Sequence, residues 1–155
     1  MYFTYFSSPV GLLRLAGTAT CLTSLTVCRE QPPEPVAGAS CPLLDRAVGE
    51  LEAYFSGARR VFDIPLDPGG TAFQKRVWAA VSRIPYGRTL TYGQVAADLG
   101  APGACRAVGV AAGRNPILLL IPCHRVIGAD GSLTGYAGGL EMKRALLALE
   151  AGHPL

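Results

Sequence analysis

The residues best suited to chemistry lie in the segment Pro122-Cys123-His124-Arg125, directly after the apolar run 117–121. A cysteine reacts as its thiolate, and a nearby base or cation favours that form over the neutral thiol. Because neighbouring side chains of an extended chain point in opposite directions, we expect Cys123 and His124 to be linked through a water molecule rather than by direct contact. The alternative is a structural role for both, since a cysteine at the end of an apolar run is often a core residue.

A histidine that acts as a base needs a third group to orient its ring. The second half of the chain offers four acids for this role: Asp98, Asp130, Glu141 and Glu150. Glu150 is the preferred candidate, because the helix predicted around it is otherwise apolar.

Four helices are predicted in the half of the chain that carries these groups. Thr71 and Thr91, each followed three residues later by a glutamine, have the capping-box spacing of two helix starts. Pro102 is expected to be the first residue of a third helix, 102–113, and the last helix is expected at 140–151.

The second and third of these helices have the proportions of a helix-turn-helix, in which the later helix enters a groove of DNA. Residues 102–113 are nearly all small or apolar, and Arg106 is the residue there best able to bond a base edge. Such a helix reads no base sequence, but it can lie close to a DNA backbone or in a minor groove. A purely structural helical hairpin is the alternative interpretation.

Residues 1–70 are predicted to form a separate α/β unit. Strands are expected at 2–7, 12–16 and 21–27, a loop at 30–40, a helix at 44–55 and a short strand at 61–66. The stretch 67–70, Asp-Pro-Gly-Gly, is the candidate linker, which gives domains of 1–70 and 71–155.

Composition excludes several classes of protein. The chain has 155 residues, of which 50% are hydrophobic and 16% charged, so it can bury a core. No apolar run is long enough for a membrane helix, and the first residues lack a secretory signal pattern. Five irregularly spaced cysteines predict neither a disulfide framework nor a zinc site, and favour a reducing, cytoplasmic location. The net charge of +3 is the sum of −2 for residues 1–70 and +5 for residues 71–155. This asymmetry indicates either that the second half binds a polyanion or that it carries ordinary surface charge.

Several separated blocks of the second half resemble the O6-alkylguanine-DNA alkyltransferase family, the methylated-DNA–protein-cysteine methyltransferases. The blocks, in the order of that family, are 84–87, 91–96, 106–109, 113–116, 122–126 and 135–139. The resemblance runs from Phe73 to Gly152, whereas residues 1–70 match in layout only. It implies an α/β (α+β) chain, with a ribonuclease H-like α/β domain before a mainly helical domain that carries a winged-helix-like helix-turn-helix.

The resemblance also implies a reaction, in which Cys123 takes the alkyl group from O6 of guanine irreversibly and once per protein molecule. His124 would act as the base through a bridging water, and Glu150 would orient its imidazole. Asn115 would brace the link between the recognition helix and the active-site strand. Tyr92 would help to turn the nucleotide out of the duplex and would offer its hydroxyl to the guanine. No cofactor and no metal are implied.

The partner implied by the resemblance is double-stranded DNA, bound by a monomer through the minor groove without sequence specificity. Arg106 would fill the gap that the flipped nucleotide leaves. Phosphate contacts are expected near four residues: Gln74, Gly93, Ala101 and Ala129. The alkylguanine pocket is expected from the main chain of Cys123 and from a further set: Val126, Tyr136, Ala137 and Gly138. Repair of O4-alkylthymine and cooperative packing along DNA stay open.

The sequence departs from some relatives at a few positions. There is no histidine before His124, so the zinc site that some relatives have in the N-terminal domain is absent. Ala137 stands where some relatives have serine, and Ala112 and Leu118 also differ, which bears on substrate range rather than on the type of reaction.

Two other classes of function are alternatives. One is a helix-turn-helix binding module that does no chemistry, although non-catalytic relatives replace the nucleophile that Cys123 supplies here. The other is a Cys–His hydrolase of acyl substrates, which would turn over and would leave the helix-turn-helix unexplained.

Overall fold

The computed structural model describes residues 1–30 and 40–155, so most of the predicted loop at 30–40 lies outside the described residues. The chain begins with a three-stranded antiparallel sheet and one helix. The strands, in sheet order, are β1 (Tyr2–Ser8), β2 (Gly11–Gly17) and β3 (Leu22–Val27). Helix α1 (Pro42–Phe55) packs on the sheet face that carries Leu13 and Leu15, both fully buried. These three strands and the helix confirm the sequence prediction, because apolar segments separated by turn residues and a helical stripe are local signals.

The predicted strand at 61–66 is wrong. This segment makes a single parallel bridge to β3, between Leu66 and Leu22. Pro65 has no amide hydrogen to give to a ladder, and it takes part only through its carbonyl, which accepts from the Leu22 amide at 2.9 Å. Farther along the same edge of β3, Leu25 pairs with the segment around Ile117, so the sheet reaches the region that precedes Cys123.

The second half of the chain is mainly helical. Its elements are α2 (Ala72–Ser82), β4 (Leu90–Thr91), α3 (Tyr92–Asp98), α4 (Cys105–Gly113), β5 (Val126–Ile127) and α5 (Leu140–Glu150). Both predicted capping boxes are formed, at the starts of α2 and α3. Trp78 fixes α2 to α4, since its indole nitrogen donates to the carbonyl of Ala111 at 2.9 Å. The α+β class is confirmed.

Helix α4 begins at Cys105 and not at Pro102, which corrects the predicted boundary. Residues 101–104 form a turn closed by a hydrogen bond from the Ala104 amide to the Ala101 carbonyl, 2.9 Å. Proline is as favourable at the second position of such a turn as at a helix start, and Gly103 follows it here. Gly100, at φ +71°, ends α3 in the left-handed conformation that glycine adopts without strain.

Among the described residues, no helix is long and apolar enough to cross a membrane.

Candidate active site

The apolar run 117–121 is a buried turn, so the expected active-site strand is wrong. The Leu120 amide donates to the Leu118 carbonyl at 2.8 Å, and Leu119 between them has φ +72°. A leucine rarely adopts this conformation, and here complete burial of the turn offsets its cost. A short apolar run has no periodicity that separates a strand from such a turn, which is why the sequence did not reveal it.

Asn115 holds both ends of this turn. Its side-chain nitrogen donates to the Ile121 carbonyl at 2.7 Å, and its side-chain oxygen accepts from the Ile117 amide at 2.9 Å. Asn115 is buried and follows α4 by two residues. It therefore joins the end of the predicted recognition helix to the turn that delivers Cys123.

Cys123 is the first residue of a one-turn 3-10 helix, Cys123–Arg125, rather than part of an extended chain. Its amide donates to the Ile121 carbonyl at 2.8 Å across Pro122. The thiol is almost completely buried, and burial raises its pKa to about 12, although the Asn115 amide and the Lys143 charge oppose this rise. The resting side chain is therefore a neutral thiol, and it becomes a nucleophile only when a base takes its proton.

His124 is fully buried and contacts Glu150 as predicted. Its Nε2 lies 2.7 Å from Oε2 of Glu150, so the carboxylate orients the ring. The other ring nitrogen, Nδ1, is buried and has no hydrogen-bond partner among the described residues. Burial lowers the pKa of His124, while the hydrogen bond and charge of Glu150 act in the opposite direction. A neutral imidazole with a free Nδ1 is the form that can accept a proton.

Arg125 also binds Glu150, a contact that the sequence analysis missed. Nε donates to Oε1 at 2.7 Å and Nη2 donates to Oε2 at 3.0 Å, while Nη1 donates to the Ile84 carbonyl at 2.7 Å. Burial alone would raise the pKa of Glu150, but hydrogen bonds from His124 and Arg125 outweigh it and lower that pKa to about 2. The acid is therefore an anion at neutral pH. The signal available in the sequence was an arginine directly after the histidine in an apolar stretch.

Tyr54 is a second residue that the sequence analysis missed. It lies on α1, and its hydroxyl donates to Oε2 of Glu150 at 2.6 Å. Nothing local to Tyr54 in the sequence indicates this contact, which spans 96 positions of the chain.

Lys143 is the third missed residue, a fully buried lysine on α5. Its ammonium group donates to the carbonyls of Val126, at 2.6 Å, and Thr134, at 2.8 Å. Burial lowers the pKa of Lys143 to about 8, against the effect of Cys123.

Tyr92 binds the same carbonyl as Lys143, since its hydroxyl donates to the Thr134 oxygen at 2.8 Å. The hydroxyl that was expected to contact guanine is therefore already engaged in a hydrogen bond.

The predicted pocket residues gather around these groups. Val126 and Tyr136 are buried, and the rings of Tyr136 and His124 lie edge to face with centroids 6.4 Å apart. Ala137 is exposed and Gly138 is half-buried. A Cβ added to Gly138 would lie 2.5 Å from the Met142 sulfur and 2.8 Å from Cε2 of Tyr136. A side chain at position 138 would therefore require Met142 or Tyr136 to move.

The outer face of α4 carries small or exposed side chains. Arg106 is exposed, and Gly109 lies against the Tyr92 ring, 3.7 Å from a Cβ placed there. Gly93 lies in the first turn of α3, and Ala129 is in an exposed turn.

Two of the expected phosphate contacts have their main-chain amides already in use. The Ala101 amide donates to the Ala96 carbonyl at 3.0 Å, and the Gln74 amide donates to the Thr71 hydroxyl at 3.1 Å. We therefore expect a phosphate to be bound by the first turn of α4 rather than by the main-chain amide of Ala101. At the start of α2, we expect it to be bound by the side chain of Gln74 rather than by the main-chain amide of that residue.

The described residues contain no group of three or more His, Cys, Asp or Glu placed to hold a metal ion. All five cysteines are free thiols.

Both halves of the chain match sequence models of one family. Residues 1–68 match the ribonuclease-like domain of 6-O-methylguanine DNA methyltransferase, and residues 72–152 match its DNA binding domain.

Proteins named methylated-DNA–protein-cysteine methyltransferase align with nearly the whole chain. The methylated-DNA–protein-cysteine methyltransferase of Mycobacterium bovis is 51% identical over 153 residues, which cover 97% of this chain and 92% of the relative. The protein of the same name from Methanosarcina acetivorans is 48% identical over 155 residues, with coverage of 97% and 98%. The crystal structure of Mycobacterium tuberculosis OGT in complex with DNA has a TM-score of 0.89 at 48% identity, and the match covers 99% of this chain and 96% of that one.

These matches identify the two parts of the α+β fold. A ribonuclease-like domain of sheet and helix comes first, and a helical DNA-binding domain follows it. The chain therefore belongs to the methylated-DNA–protein-cysteine methyltransferases, the family of O6-methylguanine DNA repair proteins.

Proposed function

We propose that Cys123 is the residue that accepts the alkyl group, with His124 as its base and Glu150 as the acid that orients the base. The observation that carries this proposal is the contact between Nε2 of His124 and Glu150. His124 directly follows Cys123 in the chain, and this contact leaves its other ring nitrogen, Nδ1, without a hydrogen-bond partner among the described residues. A buried thiol with a raised pKa needs such a base.

The reaction begins with proton transfer from the Cys123 thiol, through a water molecule, to Nδ1 of His124. The anionic Glu150 stabilises the imidazolium that results. The thiolate sulfur then attacks the alkyl carbon, so that a sulfur–carbon bond forms as the bond from that carbon to O6 of guanine breaks. The electron pair of the broken bond passes to guanine, which takes up one proton, and His124 gives up the proton that it took from the thiol, so that guanine and the neutral imidazole are both restored.

The thioether on Cys123 is the end of the sequence of steps. Attack by water on an unactivated thioether is not a step that His124 can promote, because the leaving group would again be a thiolate in a buried site. Each protein molecule therefore acts once, and the reaction needs neither a cofactor nor a metal.

DNA is bound through α4, which enters the minor groove of a double strand without reading its sequence. The small side chains of this helix allow a close approach, and Arg106 occupies the space left by the flipped nucleotide. Gly93, Ala129, the side chain of Gln74 and the first turn of α4 near Ala101 contact phosphates. Because phosphates supply most of these contacts, affinity falls steeply with added salt.

Val126, Tyr136, Ala137 and Gly138 form the alkylguanine pocket, and Asn115 fixes the turn before it. Tyr92 crowds the flipped nucleotide and gives up its bond to the Thr134 carbonyl when guanine enters. The protein works as a monomer in the cytoplasm, where thiols stay reduced.

The test is the intact mass of the protein after mixing with an oligonucleotide duplex that carries O6-methylguanine. We expect the addition of one methyl group per molecule, located on the peptide that contains Cys123. Cys123→Ala should gain no methyl group but still bind the duplex, whereas Cys21→Ala, which removes a half-buried thiol outside the DNA-binding domain, should gain one methyl group like the wild type. Methylation of another cysteine would contradict the assignment, no methylation would favour a binding module, and repeated turnover would favour a hydrolase.

A further inference from the structure

Tyr54 brings the N-terminal domain into contact with the acid of the proposed active site. Its hydroxyl donates to Oε2 of Glu150 at 2.6 Å, and the same oxygen lies 2.7 Å from Nε2 of His124. The tyrosine is completely buried, so no solvent competes for this bond.

We propose that Tyr54 is a positioning residue for alkyl transfer, which sets the orientation and the basicity of His124 through Glu150. The inference rests on the proposed function, because it assigns a further residue to the same site. It gives α1 of the ribonuclease-like domain a direct part in a reaction that otherwise uses residues of the DNA-binding domain.

The ring of Tyr54 is held firmly enough to direct its hydroxyl. It packs edge to face on Phe55, with centroids 5.2 Å apart, and it also contacts Phe62 at 5.4 Å and Tyr86 at 6.1 Å. A side chain fixed on three sides keeps its hydrogen bond without a large loss of freedom, so it can define the position of the carboxylate.

The direction of the electronic effect follows from the donors to Glu150. The carboxylate accepts from Tyr54, His124 and Arg125, and weakly from the Gly87 amide at 3.4 Å. Burial and the charge of Glu150 raise the pKa of Tyr54, so its hydroxyl remains a donor. Each donor lowers the attraction of the carboxylate for the proton on His124. Removal of the Tyr54 hydroxyl should therefore raise the pKa of His124, so that at acid pH more of the free protein carries an imidazolium, which cannot take the proton of the thiol.

Other titratable groups also face the His124–Glu150 pair. They are Tyr86 from the segment after α2, Cys123 and Arg125 from the 3-10 helix, Tyr136 from the segment before α5, and Lys143 from α5. The substitution Tyr54→Phe leaves all of them in place and keeps the aromatic ring. A change in pH dependence can then be assigned to the hydroxyl.

The experiment measures the second-order rate of methyl transfer from an O6-methylguanine duplex as a function of pH. We expect Tyr54→Phe to react about ten-fold more slowly than the wild type at neutral pH, because the Glu150 carboxylate loses one of the hydrogen bonds that fix its position, and a hydrogen bond to a charged group contributes about that much. The acid limb of its pH profile should move to higher pH by about half a unit, because more of His124 is protonated at a given pH. DNA affinity should be unchanged.

Tyr86→Phe is the matched control. It removes a hydroxyl from the same aromatic cluster, and that hydroxyl forms no hydrogen bond within the part of the chain that the structure describes. Its acid limb should coincide with that of the wild type. Thermal unfolding of both variants shows whether each one is folded during the assay.

A double-substitution cycle with Glu150→Gln decides the route of the effect. If Tyr54 acts through the carboxylate, then Tyr54→Phe should change the rate little when Glu150 is already Gln. The inference would be overturned if Tyr54→Phe changed neither the rate nor the acid limb, or if it caused the same loss of rate in the Glu150→Gln background as in the wild type. Methyl transfer by the wild type would still support the proposed function in either case. Absence of transfer by the wild type would instead overturn the proposed function itself.

Discussion

Arg125 and Glu150 form a two-point ion pair inside the protein. Nε meets Oε1 at 2.7 Å and Nη2 meets Oε2 at 3.0 Å, and the exposed fractions of the two side chains are only 8% and 1%. A buried carboxylate without a cation would take up a proton rather than stay charged. The pair therefore keeps Glu150 anionic, which is the state that the proposed base requires beside it.

Replacement of Arg125 by alanine should destabilise the fold and stop alkyl transfer together. The change leaves the Glu150 carboxylate buried without its cation, a situation that costs about 3 kcal/mol or more of unfolding free energy. Urea unfolding at neutral pH measures this loss. Arg106→Ala removes an exposed arginine on α4 and should change the unfolding free energy by less than about 0.5 kcal/mol. Equal stability of the two variants would contradict a stabilising role for the pair.

Glu150 should also make stability depend on acid. Its pKa is lowered from 4.5 to about 2 in the folded protein, so the unfolded chain binds a proton at a pH where the folded protein does not. The resulting stabilisation is fully present above pH 4.5 and is lost as the pH falls toward 2, an effect of about 3 kcal/mol. His124 adds an earlier loss, because burial lowers its pKa below the unfolded value of 6.5.

Glu150→Gln isolates this contribution. The difference in unfolding free energy between wild type and Glu150→Gln should be large at neutral pH and should shrink as the pH falls through the window from 4.5 to 2. A difference that stayed constant over this range would show that the carboxylate is not stabilised as an anion in the folded state.

Arg106→Ala should weaken repair of duplex DNA far more than reaction with a free alkylated guanine. The proposed work of Arg106 is to stabilise the flipped-out state, and a free base needs no flipping. Arg106→Lys keeps the charge but loses the planar guanidinium, so it separates attraction to phosphates from occupation of the stack. An equal loss of both reactions would assign Arg106 a structural role.

The sequence predicted those parts of the protein that depend on short-range patterns. The capping boxes at Thr71 and Thr91 and the strands of the first sheet are local signals, and all of them are formed. Glu150 was also the preferred candidate among four acids for the group that orients His124, because its helix is otherwise apolar, and the two side chains are in contact.

The parts that the sequence did not predict depend on contacts between distant segments. Tyr54 lies 96 positions from its acceptor, and no pattern around it indicates an acid nearby. The positive φ of Leu119 is set by the surrounding core and by Asn115, not by the preference of leucine. Pro102 fits a turn as well as a helix start, so the proline alone did not determine where α4 begins.

The range of alkyl groups should depend on Gly138 through the position of Tyr136. Even one methyl group at Gly138 would lie 2.5 Å from the Met142 sulfur and 2.8 Å from the Tyr136 ring, and that ring is buried. Gly138→Ala should therefore displace Met142 or Tyr136, of which Tyr136 belongs to the proposed pocket, and transfer of a benzyl group from free O6-benzylguanine should fall more than methyl transfer from a duplex. Gly49→Ala, in open space on α1, is the matched control and should change neither rate. If Met142 is the main obstacle, Gly138→Ala combined with Met142→Ala should recover benzyl transfer, because the closest atom has been removed. Second-order rates with both substrates measure these effects, and a Gly138→Ala variant that accepts the benzyl group like the wild type would remove Gly138 from the control of substrate size.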